Sequence, residues 1–117
     1  MWVQRVLLLA CLLYPGLARA QDIGNAEDIR EGHRLASELC ALCHLATPDQ
    51  PIRPMSNPPA PPFETIVRRK DFTAEWLTKF LKTTHRGLDE PNGMSNPDLA
   101  DFQIKQIVAY LMSIRRQ

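Results

Sequence analysis

Cysteine is scarce in this chain of 117 residues: there are three, at positions 11, 40 and 43. Two thiols as close as Cys40 and Cys43 make no disulfide framework. A structural zinc site would need two further ligands, and although His33 and His85 exist, there is no second cysteine pair. Long apolar runs are missing as well. Val6 to Leu17 is interrupted by Pro15 and Gly16, and it falls short of the roughly 20 residues that cross a bilayer. No internal repeat is visible and nothing suggests a sheet, which removes the βαβ setting of a thioredoxin-like dithiol. A formal net charge of +1 leaves no basic footprint for nucleic acid.

What is present begins with an export signal. Met1 to Arg5 carries one positive charge, an apolar stretch follows, and Ala18-Arg19-Ala20 is a small-x-small cleavage site before Gln21. Residues 1–20 therefore read as a secretory signal peptide. The rival, a lipoprotein-type cut at Leu8-Leu9-Ala10-Cys11, would leave too short an apolar region and strand Leu12-Leu13-Tyr14 at the new terminus. Residues 21–117 then form one small domain with 12 basic and 13 acidic residues. Export places Cys40 and Cys43 in an oxidising compartment, expected to be the periplasm. A pair destined for covalent attachment resolves that tension.

The attachment site is legible. Cys40-Ala41-Leu42-Cys43-His44 has the C-x-x-C-H form by which haem is bound covalently. Cysteines three apart lie on one side of a helical turn, where both thiols reach the vinyl groups along one haem edge. The histidine that follows offers a ring nitrogen to the iron. Its other ring nitrogen is expected to donate to a carbonyl, which fixes tautomer and ring angle.

Around this motif the periodicity is helical. Asn25 opens a helix with Asp28 three positions on, a variant of the capping box. Ile29, Gly32, Ala36, Leu39, Cys40 and Cys43 mark one buried face to about Leu42, with Gly32 where another helix crosses closely. Thr47 to Pro62 holds seven prolines, so it is neither helix nor central strand; it reads as an ordered loop around a cofactor. Phe63 to Arg69 reads as a short helical turn. Thr73 caps a helix with Trp76, Leu77, Phe80 and Leu81 inward, ending near His85 and Gly87. A loop from Leu88 to Pro97 precedes a last helix, opened by Asp98 with Asp101 or, less favourably, by Ala100. Its apolar face is Ile104, Ile107, Val108, Leu111 and Ile114, and Arg115 and Arg116 suit its C-terminal dipole.

In this order of features residues 21–117 resemble a small bacterial class I cytochrome c. The likeness runs from a helix ending in C-x-x-C-H, through a proline-bearing loop and a loop methionine, to a final helix with Ala109-Tyr110-Leu111. It implies an all-α fold of three to four short helices and long proline-rich loops around one covalent haem. It also implies that the first and last helices cross, with Gly32 and Tyr110 at the contact, and that a loop proline, best matched by Pro61, supplies the carbonyl for His44. As second axial ligand the resemblance implies Met94, with Leu99 five residues on. Ser95 stands where the family usually has proline, and Ala100 where it commonly has a Ser or Thr cap. Met55, His85 and Met112 are the other residues able to fill the sixth position.

A six-coordinate iron between His44 and Met94 has no vacant position, so what remains is one-electron transfer with redox partner proteins, and no enzyme activity is expected. A cytochrome subunit dedicated to a periplasmic dehydrogenase or oxidase would use the same chemistry. A haem sensor would need a labile sixth ligand, and a peroxidase a distal acid–base pair that this short chain does not show. Arg53, Arg68 and Lys70 are candidate partners of the haem propionates. Residues 21–44 sum to −3 and residues 63–86 to +3, an asymmetry that reads as solvated helix surface before it reads as docking.

Overall fold

Four α-helices and one π-helical turn make up the regular structure of residues 25–83 and 94–117, which this computed structural model describes. The expected signal peptide, His85 and Gly87 lie outside those residues. No strand occurs among the described residues, and the architecture is all-α as the sequence predicts.

Helix α1 (Ala26–Leu35) starts where its chemistry requires. The Asn25 side chain accepts the Asp28 N–H at 2.8 Å, satisfying one of the donors a helix start leaves over. The Asp28 carboxylate turns instead to Lys105, 2.9 Å away on the last helix. Gly32 and Leu35 form the buried line of α1, which continues into Ala36.

The expected helical face breaks at Leu39, which is 49% exposed. Residues Ala36–Cys40 form a π-helical turn, whose i to i+5 bonding places about one more residue in each turn. The position below Ala36 on the buried line therefore passes from Leu39 to Cys40, and Cys40 packs against the core. This is the physical reason that a 3.6-residue projection misplaces Leu39.

Helix α2 (Phe63–Val67) is a single short turn with Phe63 and Val67 buried. Helix α3 (Ala74–Lys82) is capped by Thr73, whose hydroxyl accepts from Trp76 N–H at 3.0 Å. Leu77 and Leu81 are its buried residues, while Trp76 and Phe80 stack on each other at 5.2 Å and are only partly buried. Both belong to the packing around the core.

Helix α4 (Asp101–Arg115) begins after Ala100, not at Asp98. Asp98 stands at φ 49°, a left-handed conformation that Asp tolerates, and its N–H donates to the Asn96 side chain at 3.0 Å. Committed to that turn, Asp98 cannot cap. Gln103 compensates by accepting the Ala100 N–H at 3.0 Å. At the other end Arg115 donates to the Phe72 carbonyl and lies 5.5 Å over the Phe72 ring.

Packing centres on α1 against α4, with α2 and α3 also resting on α4. Ile104, Ile107, Val108, Tyr110 and Leu111 from α4 meet Leu35, Phe63, Val67, Phe72, Leu77 and Leu81 in one core. Ile114 is only partly buried at its margin.

Candidate functional site

The end of the π-helical turn carries Cys40, and the chain then curls so that Cys43 N–H and His44 N–H both donate to the Cys40 carbonyl, at 3.2 and 2.9 Å. The three residues of the motif are thereby gathered into one turn. Both cysteines are free thiols and half-buried. Burial pushes the Cys40 thiol up to about 11, with Cys43 nearby adding to the rise. A redox dithiol uses the opposite, a lowered thiol pKa, so burial does not activate Cys40 as a nucleophile.

His44 is 9% exposed. Its Nδ1 lies 2.7 Å from the Pro61 carbonyl oxygen. A carbonyl only accepts, so Nδ1 carries the proton and Nε2 presents its lone pair. Phe63 flanks the ring at 5.3 Å between centroids. Here the match of Pro61 made on the family resemblance is met in detail.

Helix ends leave carbonyls without partners, and at this one the proline-rich loop supplies them. Gln50 Nε2 approaches the Ala41 carbonyl at 3.5 Å and the His44 carbonyl at 3.3 Å. Met55 N–H donates to the Leu42 carbonyl at 2.9 Å, and Ser56 Oγ to the Cys43 carbonyl at 3.0 Å. Phe63 N–H donates to the Leu45 carbonyl at 3.0 Å. The loop and the turn from Cys40 to Leu45 are thus held to each other. Sequence reasoning overlooked Gln50 and Ser56; the available signal was polar side chains able to donate in a stretch whose prolines have no N–H to give.

Behind the motif His33 Nε2 lies 2.8 Å from Asp49, and its ring meets Tyr110 edge-on at 5.2 Å. The His33 bond is the main cause holding the Asp49 carboxyl below its usual range. Tyr110 in turn donates to the Ala46 carbonyl at 3.1 Å. His33 is therefore engaged in a clasp between α1 and the loop.

Of the residues able to take the sixth position, Met94 is partly buried and packs against the core, as does Met112 on α4. Met55 is 73% exposed, and His85 lies outside the described residues. Among the candidate propionate partners, Arg68 pairs with Glu64 at 2.6 Å, while Arg53 and Lys70 have no ion pair among the described residues. Arg69 pairs with Asp71, and Lys82 with Asp101 outside the stretch, each at 2.9 Å; the second pair further dilutes the basic character of residues 63–86.

A protein named cytochrome c-552 from Bradyrhizobium diazoefficiens is similar to this chain, 32% identical over 105 residues that cover 90% of this chain and 91% of that protein. The chain belongs to the c-type cytochromes. No family model matches it, and neither does any solved structure. Membership brings haem c, held covalently with its iron, and the role of a cytochrome electron carrier. The residues present fit the group. Two free thiols and an imidazole with Nδ1 already bonded form the donor set, and Leu39, Leu42, Leu45, Ile52 and Met55 supply exposed apolar surface along the same stretch of chain. Among the described residues no helix is long and apolar enough to cross a membrane.

Proposed function

We propose that this cytochrome is an exported, periplasmic one-electron carrier whose haem is attached at Cys40 and Cys43 and whose iron is held by His44 and Met94. The observation that carries the reading is the 2.7 Å bond from His44 Nδ1 to the Pro61 carbonyl. It leaves Nε2 as the lone-pair nitrogen and holds the ring in one orientation, as metal-bound histidines require.

Bound haem supplies an iron that alternates between ferrous and ferric states. The chain's own part is to keep its ligands still through that change. His44 is fixed at the ring by Pro61 and at the backbone by the loop. Met94, packed on the core, offers a thioether, which favours the ferrous state and raises the potential relative to a second histidine. With both axial positions filled, the chain binds no substrate at the metal and exchanges electrons with donor and acceptor proteins, so it is no enzyme. Residues 1–20 support export.

Absorption spectra of the oxidised and reduced holoprotein test the ligand set. Met94→Ala is expected to abolish the weak long-wavelength band of sulfur-bound ferric iron and to lower the potential. Met55→Ala and Met112→Ala are expected to leave both in place. An unchanged band in Met94→Ala would overturn the assignment.

A further inference from the structure

The structure assigns Gln50 as a positioning residue for His44, an inference that rests on His44 being the iron ligand. Gln50 is five residues into a segment, 46–62, that is rich in proline and correspondingly poor in backbone donors. Its side-chain amide does the work of several peptide groups. Oε1 accepts from Ala46 N–H at 2.7 Å and from Thr47 N–H at 3.2 Å. Nε2 donates to the Ile52 carbonyl at 2.7 Å, and its second hydrogen is shared between the His44 and Ala41 carbonyls at 3.3 and 3.5 Å. Two N–H groups facing one end and three carbonyls facing the other fix which end of the amide is which.

These contacts flank His44 along the chain. The amide reaches the Ala41 carbonyl before it, the His44 carbonyl itself, and the N–H groups two and three residues after it. The same short segment is gripped from within, because Ala46 accepts from Tyr110 and the Thr47 hydroxyl lies 3.2 Å from that of Ser37. Ala46 and Thr47 are almost wholly buried, so the Ala46 N–H has no water to replace Gln50. Pro61 acts on the ring and Gln50 on the backbone from which the ring projects. Removing the amide loosens the backbone just after His44, although the bonds to Cys40 and Tyr110 remain, while Pro61 still holds the Nδ1 proton, so the ring shifts about that bond. A displaced axial histidine alters the ligand field and with it the potential.

The test compares wild-type holoprotein with Gln50→Met, which is similar in length but has no polar end. Ile107→Val, within the α4 core, serves as a control that loses stability while leaving every Gln50 contact in place. The readouts are the midpoint potential and the g-values of the low-spin ferric haem. Gln50→Met is expected to shift both, and Ile107→Val neither. If Gln50→Met yields no holoprotein, Gln50→Asn, one methylene too short to span both sets of partners, takes its place with the same expectation. Gln50 variants that melt earlier but keep the wild-type potential and g-values would overturn the inference, as would an equal shift in Ile107→Val. A wild-type spectrum without a histidine ligand would overturn the ligation, and this inference with it, before any variant is compared.

Discussion

Gly32 on α1 lies directly against the Gln106 carbonyl of α4: a Cβ at position 32 would sit 2.0 Å from that oxygen and 2.8 Å from the Tyr110 Cβ. The obstacle is backbone, which cannot swing aside as a side chain would. The two helices approach this closely only because one of them has a hydrogen where every other residue has carbon. Gly32→Ala ought to gain about 1 kcal/mol of helix propensity. Overpacking against fixed atoms typically costs about 1–3 kcal/mol, and here it meets backbone twice. The expected result is a net loss, read as a lower melting temperature of the holoprotein; a rise in melting temperature would contradict the close crossing.

Ser56 joins two parts of the loop to the attachment turn, donating to the Cys43 carbonyl and accepting from Ala60 N–H at 3.2 Å. Ser56→Ala removes both bonds without changing shape appreciably. A net hydrogen bond contributes about 0.5–1.5 kcal/mol, and the site is half-buried, so a loss of about 1–2 kcal/mol is expected in denaturant titrations. A midpoint equal to wild type would show that water replaces the hydroxyl.

Legibility in the sequence followed the range of each interaction. The caps at Asn25 and Thr73 depend on an N–H three residues away, so the local pattern was enough. The close crossing at Gly32 was legible from a glycine inside the helical pattern, whereas its partner Tyr110 and the Pro61 carbonyl depend on distant contacts, and the family resemblance located those where periodicity alone could not. Leu39 was misplaced because a π-helical turn has no local signature in Ala36–Cys40, and the projection assumed an ordinary helix throughout. Asp98 has good capping chemistry yet is drawn into a turn with Asn96, leaving the role to Ala100 and Gln103. Gln50 was invisible for a related reason: its partners are defined by the path of the loop, and a lone glutamine between prolines carries no statement of that path.

Folding is expected to depend on haem. A domain of this size buries only about 60–70% of its unfolded surface, and Leu39, Leu42, Leu45, Ile52 and Met55 contribute exposed apolar area beside the attachment turn. Covering such side chains contributes about 25 cal/mol per Å². Without covalent haem, in Cys40→Ala/Cys43→Ala, a broad melt with little cooperativity should replace the sharp transition of the holoprotein. A cooperative, native-like melt of that variant would show that the helices alone suffice.

The contact between Tyr110 and Ala46 makes stability sensitive to alkali. Burial, with Asp49 nearby as a lesser cause, pushes the Tyr110 hydroxyl up to about 12 from its ordinary 10. Below pH 10 the hydroxyl is protonated in folded and unfolded chains alike, and its contribution is complete. Between pH 10 and 12 the unfolded chain releases the proton while the folded chain retains it, so stability falls as pH rises. Tyr110→Phe lacks this dependence but leaves the Ala46 carbonyl without its donor, which costs about 1 kcal/mol near neutrality. The two proteins should therefore differ most at pH 7–9 and converge as pH rises through 10 and beyond, with unfolding midpoints measured in parallel as the check. Other alkaline transitions act on both proteins, so only the difference between them reports on Tyr110. A gap that stays constant from pH 8 to 11 would mean that the hydroxyl titrates alike in both states and that its burial does not resist ionisation.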